Sequence, residues 1–270
     1  MSPRDTGGPR RRPAWPLRRR SPGIALDLGS ARTRVWTTGR GDILDVPTVV
    51  GRGPGTGHPV RRGTIVDSEG VARLLSRLVA ERVPRNARPV VVFTTPVLSA
   101  PGHQAAAADA LRALRPRTVL AIDGVKAIAL AAGADLSRPL LVVDLGAHLT
   151  EVALLADGTV AAARRSATPA DGTAGACPAE RAAGIAALIT GMFGDDPRPQ
   201  MVDALDRGLL LAGGGALRPK LARLLCARLR VPVQAVPQPQ TAAVRGAARA
   251  LDAARRHPGL DTPVDAPPPA

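Results

Sequence analysis

An α/β protein with mixed sheets is the fold this sequence predicts, and three observations predict it. Short apolar strands alternate with amphipathic helices between residues 22 and 256. One strand-and-turn motif occurs twice, at 23–38 and 141–155, as two similar half-domains facing each other would require. The core must be aliphatic, because hydrophobic residues make up 45% of the 270 and aromatic residues only 1%.

Taken in order, residues 1–21 are rich in Arg and Pro, and Pro3, Pro9, Pro13 and Pro16 exclude a regular amphipathic helix. The segment reads as a disordered basic tail. Its alternative is a polybasic patch for an anionic membrane surface, with Trp15 and Leu17 as shallow contacts. Strands are expected at Ile24 to Leu28, Thr33 to Thr38 and Ile43 to Val50, with Gly39-Arg40-Gly41 turning between the last two. A glycine-rich loop, Gly51 to Gly57, follows. Asp67 to Glu81 carries a stripe of Val71, Leu74, Leu75, Leu78 and Val79, so it reads as a helix that Asp67 or Ser68 can cap. Pro89 to Thr95 reads as a strand and Pro101 to Leu114 as a helix with proline at its start. Thr118 to Ile122 is a short strand, and the alanine-rich helix after it ends at Gly133.

Leu140 to Val143 is too short and too β-branched for a helix and reads as a buried strand delivering Asp144-Leu145-Gly146. Thr150 to Ala156 and Thr159 to Arg164 form a hairpin through Asp157-Gly158. Beyond it come a helix from Pro178 to Ile189, a strand from Gly208 to Leu211, a helix from Ala216 to Arg230, a strand from Val231 to Val236 and a helix from Gln240 to Arg256. The segment from Pro258 onward is Pro-rich and reads as a disordered tail.

The formal net charge of +15 implies attraction to polyanions, although much of the excess sits in the N-terminal tail. A nucleic-acid binder is disfavoured, since almost no aromatic side chain is available for stacking. Cys177 and Cys226 make neither a metal motif nor a disulfide framework, which argues for a reducing cytoplasm without structural zinc. No apolar run approaches the ~18 residues of a spanning helix. Ile24-Ala-Leu-Asp27 after the Arg pairs is an interrupted strand rather than an export signal.

Chemistry concentrates in three turns. Asp27-Leu28-Gly29 and Asp144-Leu145-Gly146 each bring a carboxylate and free backbone N–H groups to one spot, which suits a metal-bound phosphate. Taken alone, Asp-x-Gly also closes many ordinary strands. Gly213-Gly214-Gly215-Ala216 follows a strand and opens a helix, where backbone N–H groups favour anions and missing side chains admit a ring or ribose. Alone it could equally be a packing turn. Neither a dinucleotide fingerprint nor a P-loop is present.

The order of these pieces resembles the actin, Hsp70 and sugar-kinase fold, a duplicated ribonuclease H-like architecture, and within it the bacterial actin-like MreB family. Asp27-Leu-Gly-Ser-Ala-Arg-Thr33 is similar to that family's DLGTANT loop, and Val46-Pro-Thr-Val-Val50 to its EPSVV strand. His58 to Asp67 resembles RPLxxGVIADF, Pro89 to Pro96 resembles VVVCVP, Gly208 to Leu217 resembles GIxLTGGGALL, and Val231-Pro-Val233 resembles LPV. The resemblance runs from about 22 to 255 in colinear order. It implies two lobes, the first at 22–143 with helix 240–256 completing it and the second at 144–239, between tails at 1–21 and 257–270. It also implies ATP with Mg²⁺ between the lobes. Asp27 and Asp144 would hold magnesium through water. Gly29, Ser30, Ala31 and Arg32, with Gly146, Ala147, His148 and Leu149, would face the phosphates, and Gly213, Gly214, Gly215 and Ala216 the adenosine.

The chain departs from the pattern in three places. Ala147-His148-Leu149 replaces the glycines and threonine of DIGGGTTE, where glycines allow unusual φ and close approach. The family's catalytic Glu aligns with Gly124, leaving Asp123, one place earlier and a methylene shorter, as catalytic candidate or as helix cap. From Arg165 to Arg207 there is no room for the second-lobe insertion, and the loop at Gly51 to Gly57 replaces most of the first-lobe one. The outer subdomains are therefore expected to be reduced or missing, which weakens the case for filaments.

The expectation is a trimmed, MreB-like cell-shape protein, cytoplasmic or associated with the membrane, with ATP binding and hydrolysis weakened or lost. Its partners would be itself, other actin-like proteins or cell-envelope proteins. The alternative is an active membrane-associated ATPase that forms filaments. A small-molecule kinase of the same fold ranks lower, because no further acid stands out as a substrate base.

Overall fold

A computed structural model describes residues 21–51, 57–167, 177–195 and 199–257. The expected tails, with the membrane contacts Trp15 and Leu17, lie outside the described residues apart from their inner ends, as does most of the Gly51 to Gly57 loop.

The first sheet has strand order β3-β2-β1-β6-β7, from Ile43–Pro47, Arg32–Thr37, Gly23–Leu28, Val90–Thr95 and Thr118–Asp123. β1 runs antiparallel to β2 and parallel to β6, so the sheet is mixed. The second sheet has order β10-β9-β8-β11-β12, from Thr159–Ala167, Leu149–Ala156, Leu140–Leu145, Leu209–Ala212 and Val233–Ala235. Its central strand β8 is again antiparallel to the next strand in sequence and parallel to a later one. The two sheets are therefore the same design used twice. A boundary at 143 would cut β8, which belongs wholly to the second sheet; sheet membership changes between Asp123 and Leu140.

Helices cover both faces of each sheet, as strands buried on both sides require. On the first, α1 (Ser68–Val79) and α2 (His103–Leu111) close one face over Ile24, Leu26, Val91 and Phe93. The other face, with Ala25, Val90 and Val92, receives α7 (Ala242–Arg256) through Val244, Ala247 and Leu251. On the second, α4 (Pro178–Asp195), α5 (Pro199–Arg207) and α6 (Pro219–Leu229) pack over Leu141, Val143, Val152 and Leu154. α3 (Gly124–Ala132) covers the opposite face, over Val142, Ala153 and Leu155. α3 and α7 thus lie between the sheets and against each other. Gly246 of α7 meets the Ala127 carbonyl so closely that no β-carbon fits.

Local chemistry explains most element ends. Asp67 caps α1, its carboxylate accepting from Gly70 N at 2.7 Å. Gly133 ends α3 in the left-handed region at φ 70. Asp157 and Gly158 both take positive φ, the hairpin turn their types favour. Three differences from expectation have physical causes. α5 exists because Met201 and Ala204 are buried one turn apart, which outweighs the prolines around it. α6 starts at Pro219 rather than Ala216, since Gly213 at φ 83 turns the chain into a single 3-10 turn over Gly214–Leu217 first. Residues 60–65 form a two-stranded hairpin, β4 (Val60–Arg61) with β5 (Thr64–Ile65), tipped by Gly63. Among the described residues this hairpin is the whole sheet structure outside the two five-stranded sheets.

Candidate functional site

Where the two sheets face each other a cleft of about 390 Å³ opens, a size within the usual range for small-molecule and cofactor sites. Its walls come from the β1–β2 and β8–β9 turns, the end of β6, the start of α3, and the glycine turn after β11. The duplicated motif therefore faces itself across the opening.

Each copy builds its turn the same way. Gly29 N donates to Arg32 O at 3.1 Å, and Gly146 N donates to Leu149 O at 2.9 Å. In both, a β-carbon on the glycine would lie 2.8 Å from that carbonyl oxygen. Behind the first loop, buried Thr48 fixes the backbone: its hydroxyl donates to Gly29 O at 2.7 Å and meets the Thr33 hydroxyl at 2.8 Å. This gives the Val46 to Val50 stretch its purpose. The hairpin tip joins the loops, as Gly63 N donates to Ser30 Oγ at 2.8 Å and Gly63 packs against Leu149 and Pro96. Ala147, His148 and Leu149 all keep negative φ, so the loop does not depend on the conformational freedom that glycines would supply.

Register decides the electrostatics. Arg34 stands seven positions after Asp27 and Glu151 seven after Asp144, and the hairpins pair each as direct cross-strand neighbours. Arg34 in turn faces Asp45, and Glu151 faces Arg165. The first lobe thus presents acid, base, acid across three strands where the second presents acid, acid, base. Arg34 Nη1 donates to Asp27 Oδ2 at 3.1 Å and its Nε lies 3.3 Å from Asp45. Thr94 donates to the other Asp27 oxygen at 2.9 Å, and Arg32 pairs with Asp45 at 2.6 Å. In the second lobe burial pushes Asp144 up to about 7, helped by the charge of Asp27 and opposed by Arg34. Burial likewise pushes Glu151 up to about 8, with Asp144 adding to it. Glu151 also ties the lobes together, accepting from Val97 N at 2.6 Å.

A magnesium ion held through water by Asp27 and Asp144 does not fit this arrangement well. Both Asp27 oxygens are engaged, one by a guanidinium, and the two acids and two arginines of the first lobe balance in charge. Among the described residues no group of three or more His, Cys, Asp or Glu is placed to hold a metal.

Of the residues expected at a nucleotide site, Asp27, Gly29, Ser30, Ala31, Arg32, Asp144, Gly146, Ala147, His148, Leu149, Gly213, Gly214 and Gly215 line the cleft. Two do not. Ala216 packs into the second lobe's core, and Asp123 lies outside the lining, its carboxyl raised by burial and its side chain making no cap bond to α3. Gly124 reaches the cleft in its place. Arg34, Glu151, Arg181 and Arg218 line it too and were not anticipated. For Arg34 and Glu151 the signal was available, since each stands seven places after a motif aspartate.

The family model described as MreB/Mbl protein matches residues 51–172 and 179–258. The chain belongs to the MreB/Mbl family. Cell shape-determining protein MreB of Escherichia coli (strain K12) is 25% identical over 330 residues, covering 87% of this chain and 95% of the relative. That alignment is longer than the 270 residues of this chain, so the relative carries insertions absent here. Among solved structures, MreB5 of Spiroplasma citri bound to AMPPNP superposes with a TM-score of 0.77 at 16% identity, covering 87% of this chain and 97% of that one. The MamK double helical filament gives 0.66 at 16% identity, covering 86% and 98%. These likenesses show the actin-like two-lobed fold for this member of the MreB/Mbl family. No helix among its described residues is long and apolar enough to cross a membrane.

Proposed function

We propose that this chain is a cell-shape cytoskeletal protein whose nucleotide cleft persists but binds ATP weakly and does not hydrolyse it. The observation that carries the reading is the wall at the start of α3, where Gly124 faces the cleft and Asp123 does not. Activating a water for attack on phosphorus requires a group within hydrogen-bond reach, and this wall offers a bare backbone. Leu149 adds to the case, because one of its methyl groups lies beside Gly63 and gives the space between the loops an apolar end. The reading is supported further by the cell-shape role of the Escherichia coli relative, and by AMPPNP in the Spiroplasma citri protein for the nucleotide. Self-association is the partner class favoured, following the filament formed by MamK.

Gly124 also supplies the test. A β-carbon there would meet only Thr95 O, at an ordinary 3.6 Å, so Gly124→Glu can be built without displacing the wall. Phosphate release from Mg-ATP should stay at background for the native chain and rise measurably for Gly124→Glu. Steady turnover by the native chain would sink the non-hydrolysing reading. Pelleting after incubation with ATP tests self-association, and a chain that stays in the supernatant at all concentrations would count against a filament role.

A further inference from the structure

The misfit of magnesium at the cleft has a constructive side. The first-lobe aspartate, which the resemblance assigns to the metal, is already matched by a guanidinium at 3.1 Å. That guanidinium is not a surface group: the Arg34 side chain is 14% exposed, it lines the cleft, and strand register places it beside Asp27. Neither of its ion pairs uses Nη2. Arg181, whose Nε is buried without a partner, and Arg218 line the same cleft from the second lobe. We propose that the cleft binds the phosphates of a nucleotide without a divalent cation, Arg34 supplying the positive charge at the position where the ion would sit.

The inference rests on the reading of this cleft as a nucleotide site. A planar guanidinium offers several donors in a fixed fork, so it can hold a carboxylate and a phosphate oxygen at once. Unlike an ion it is covalently placed, and it cannot be removed by a chelator. Arg34 hydrogen-bonds Asp27 through Nη1, its buried Nε lies 3.3 Å from Asp45 with no hydrogen-bond partner, and Asp45 is itself paired with Arg32. The group is therefore oriented before any ligand arrives. In the second lobe the equivalent position is Glu151, whose contact with Val97 N makes it a link between lobes rather than a phosphate ligand.

Calorimetric titration of the full chain with ATP, once in excess EDTA and once in excess MgCl₂, tests the proposal directly. Native binding should be no tighter in MgCl₂ than in EDTA, since no ion contributes at the site and magnesium competes for the phosphates in solution. Arg34→Leu should lose about tenfold or more in EDTA, the loss of one charge-assisted contact, and should recover part of it when Mg²⁺ is added. Because Arg34→Leu removes the ion pair of Asp27, Arg34→Lys is measured beside it. Keeping the charge, it should bind more weakly than the native chain and likewise no tighter in MgCl₂ than in EDTA. Magnesium strengthening native binding by about tenfold or more overturns the proposal. So does an Arg34→Leu chain that binds like the native one in EDTA, or a native chain that binds ATP in neither medium. The last result also removes weak ATP binding from the proposed function and leaves only its non-hydrolysing cell-shape part standing. Sustained phosphate release in MgCl₂ removes that reading whatever the EDTA titration shows.

Discussion

Asp27 and Asp144 could be picked out of the sequence because each ends an apolar strand at a glycine, a local signature. Arg34 and Glu151 could not be picked out on the same grounds, since their meaning comes from a cross-strand neighbour and therefore from register, which depends on the intervening loop. Once paired, they set the charge of the site. Asp144 and Glu151 both hold a proton more tightly in the folded protein than their ordinary values of 3.8 and 4.5 imply. An unfolded chain would release those protons first, so folding stability falls as pH rises from the ordinary values toward about 7 and 8, and is level above them. Glu151→Gln keeps an acceptor for Val97 N and removes one of the two groups. Thermal unfolding measured at pH 5 and pH 8 should show a midpoint drop in the native chain that is smaller in Glu151→Gln, with the variant the more stable of the two at pH 8. An identical drop in both would rule out Glu151 as a source of the slope.

At the scale of elements, most helices and strands were legible because their apolar periodicity and their caps agree, as with Asp67 on α1 and Gly133 after α3. α5 was hidden between prolines and shows only in the burial of Met201 and Ala204. The altered second loop, whose side chains were expected to crowd a phosphate, forms its turn without glycines at 147–149. Its turn has the hydrogen bond and the crowding of the first loop, and no left-handed residue at 147–149. Only the glycine opening each turn is needed for close approach. Gly29→Ala and Gly146→Ala should each destabilise by about 1–3 kcal/mol, because the new methyl group meets a backbone carbonyl that cannot swing aside. Urea denaturation of the two variants tests this; costs that differ widely would show that the copies are not equivalent.

The whole molecule depends on the layer between the sheets. Its sequence is rich in alanine and glycine, Gly124–Ala132 and Ala242–Arg256, which reads as good helix but says nothing of what the helices touch. In the structure α3 covers one sheet and α7 the other, and the small residues let them meet backbone to backbone at Ala127 and Gly246. The boundary between halves was read too late for the same reason: strand order is a property of pairing, and β8 looks like any buried strand until it has neighbours. Gly246→Val should therefore act on both lobes at once, lowering stability by about 3 kcal/mol or more through overpacking and weakening ligand binding in the cleft by changing how the sheets face each other. Thermal unfolding and ATP titration together would test it. A variant that loses stability but keeps its affinity would confine the effect to the helices.

α7 also brings the two ends of the described fold together. Arg255 Nε donates to Ser21 O at 3.2 Å, while the α7 side chains Leu251 and Arg255 crowd Gly23 at the start of β1. The first and last elements of the described fold are thus clasped at one place, where β1 begins and α7 ends. Fraying of the last helix therefore opens the entry to the first strand as well, and amide hydrogens at the two places should exchange at related rates.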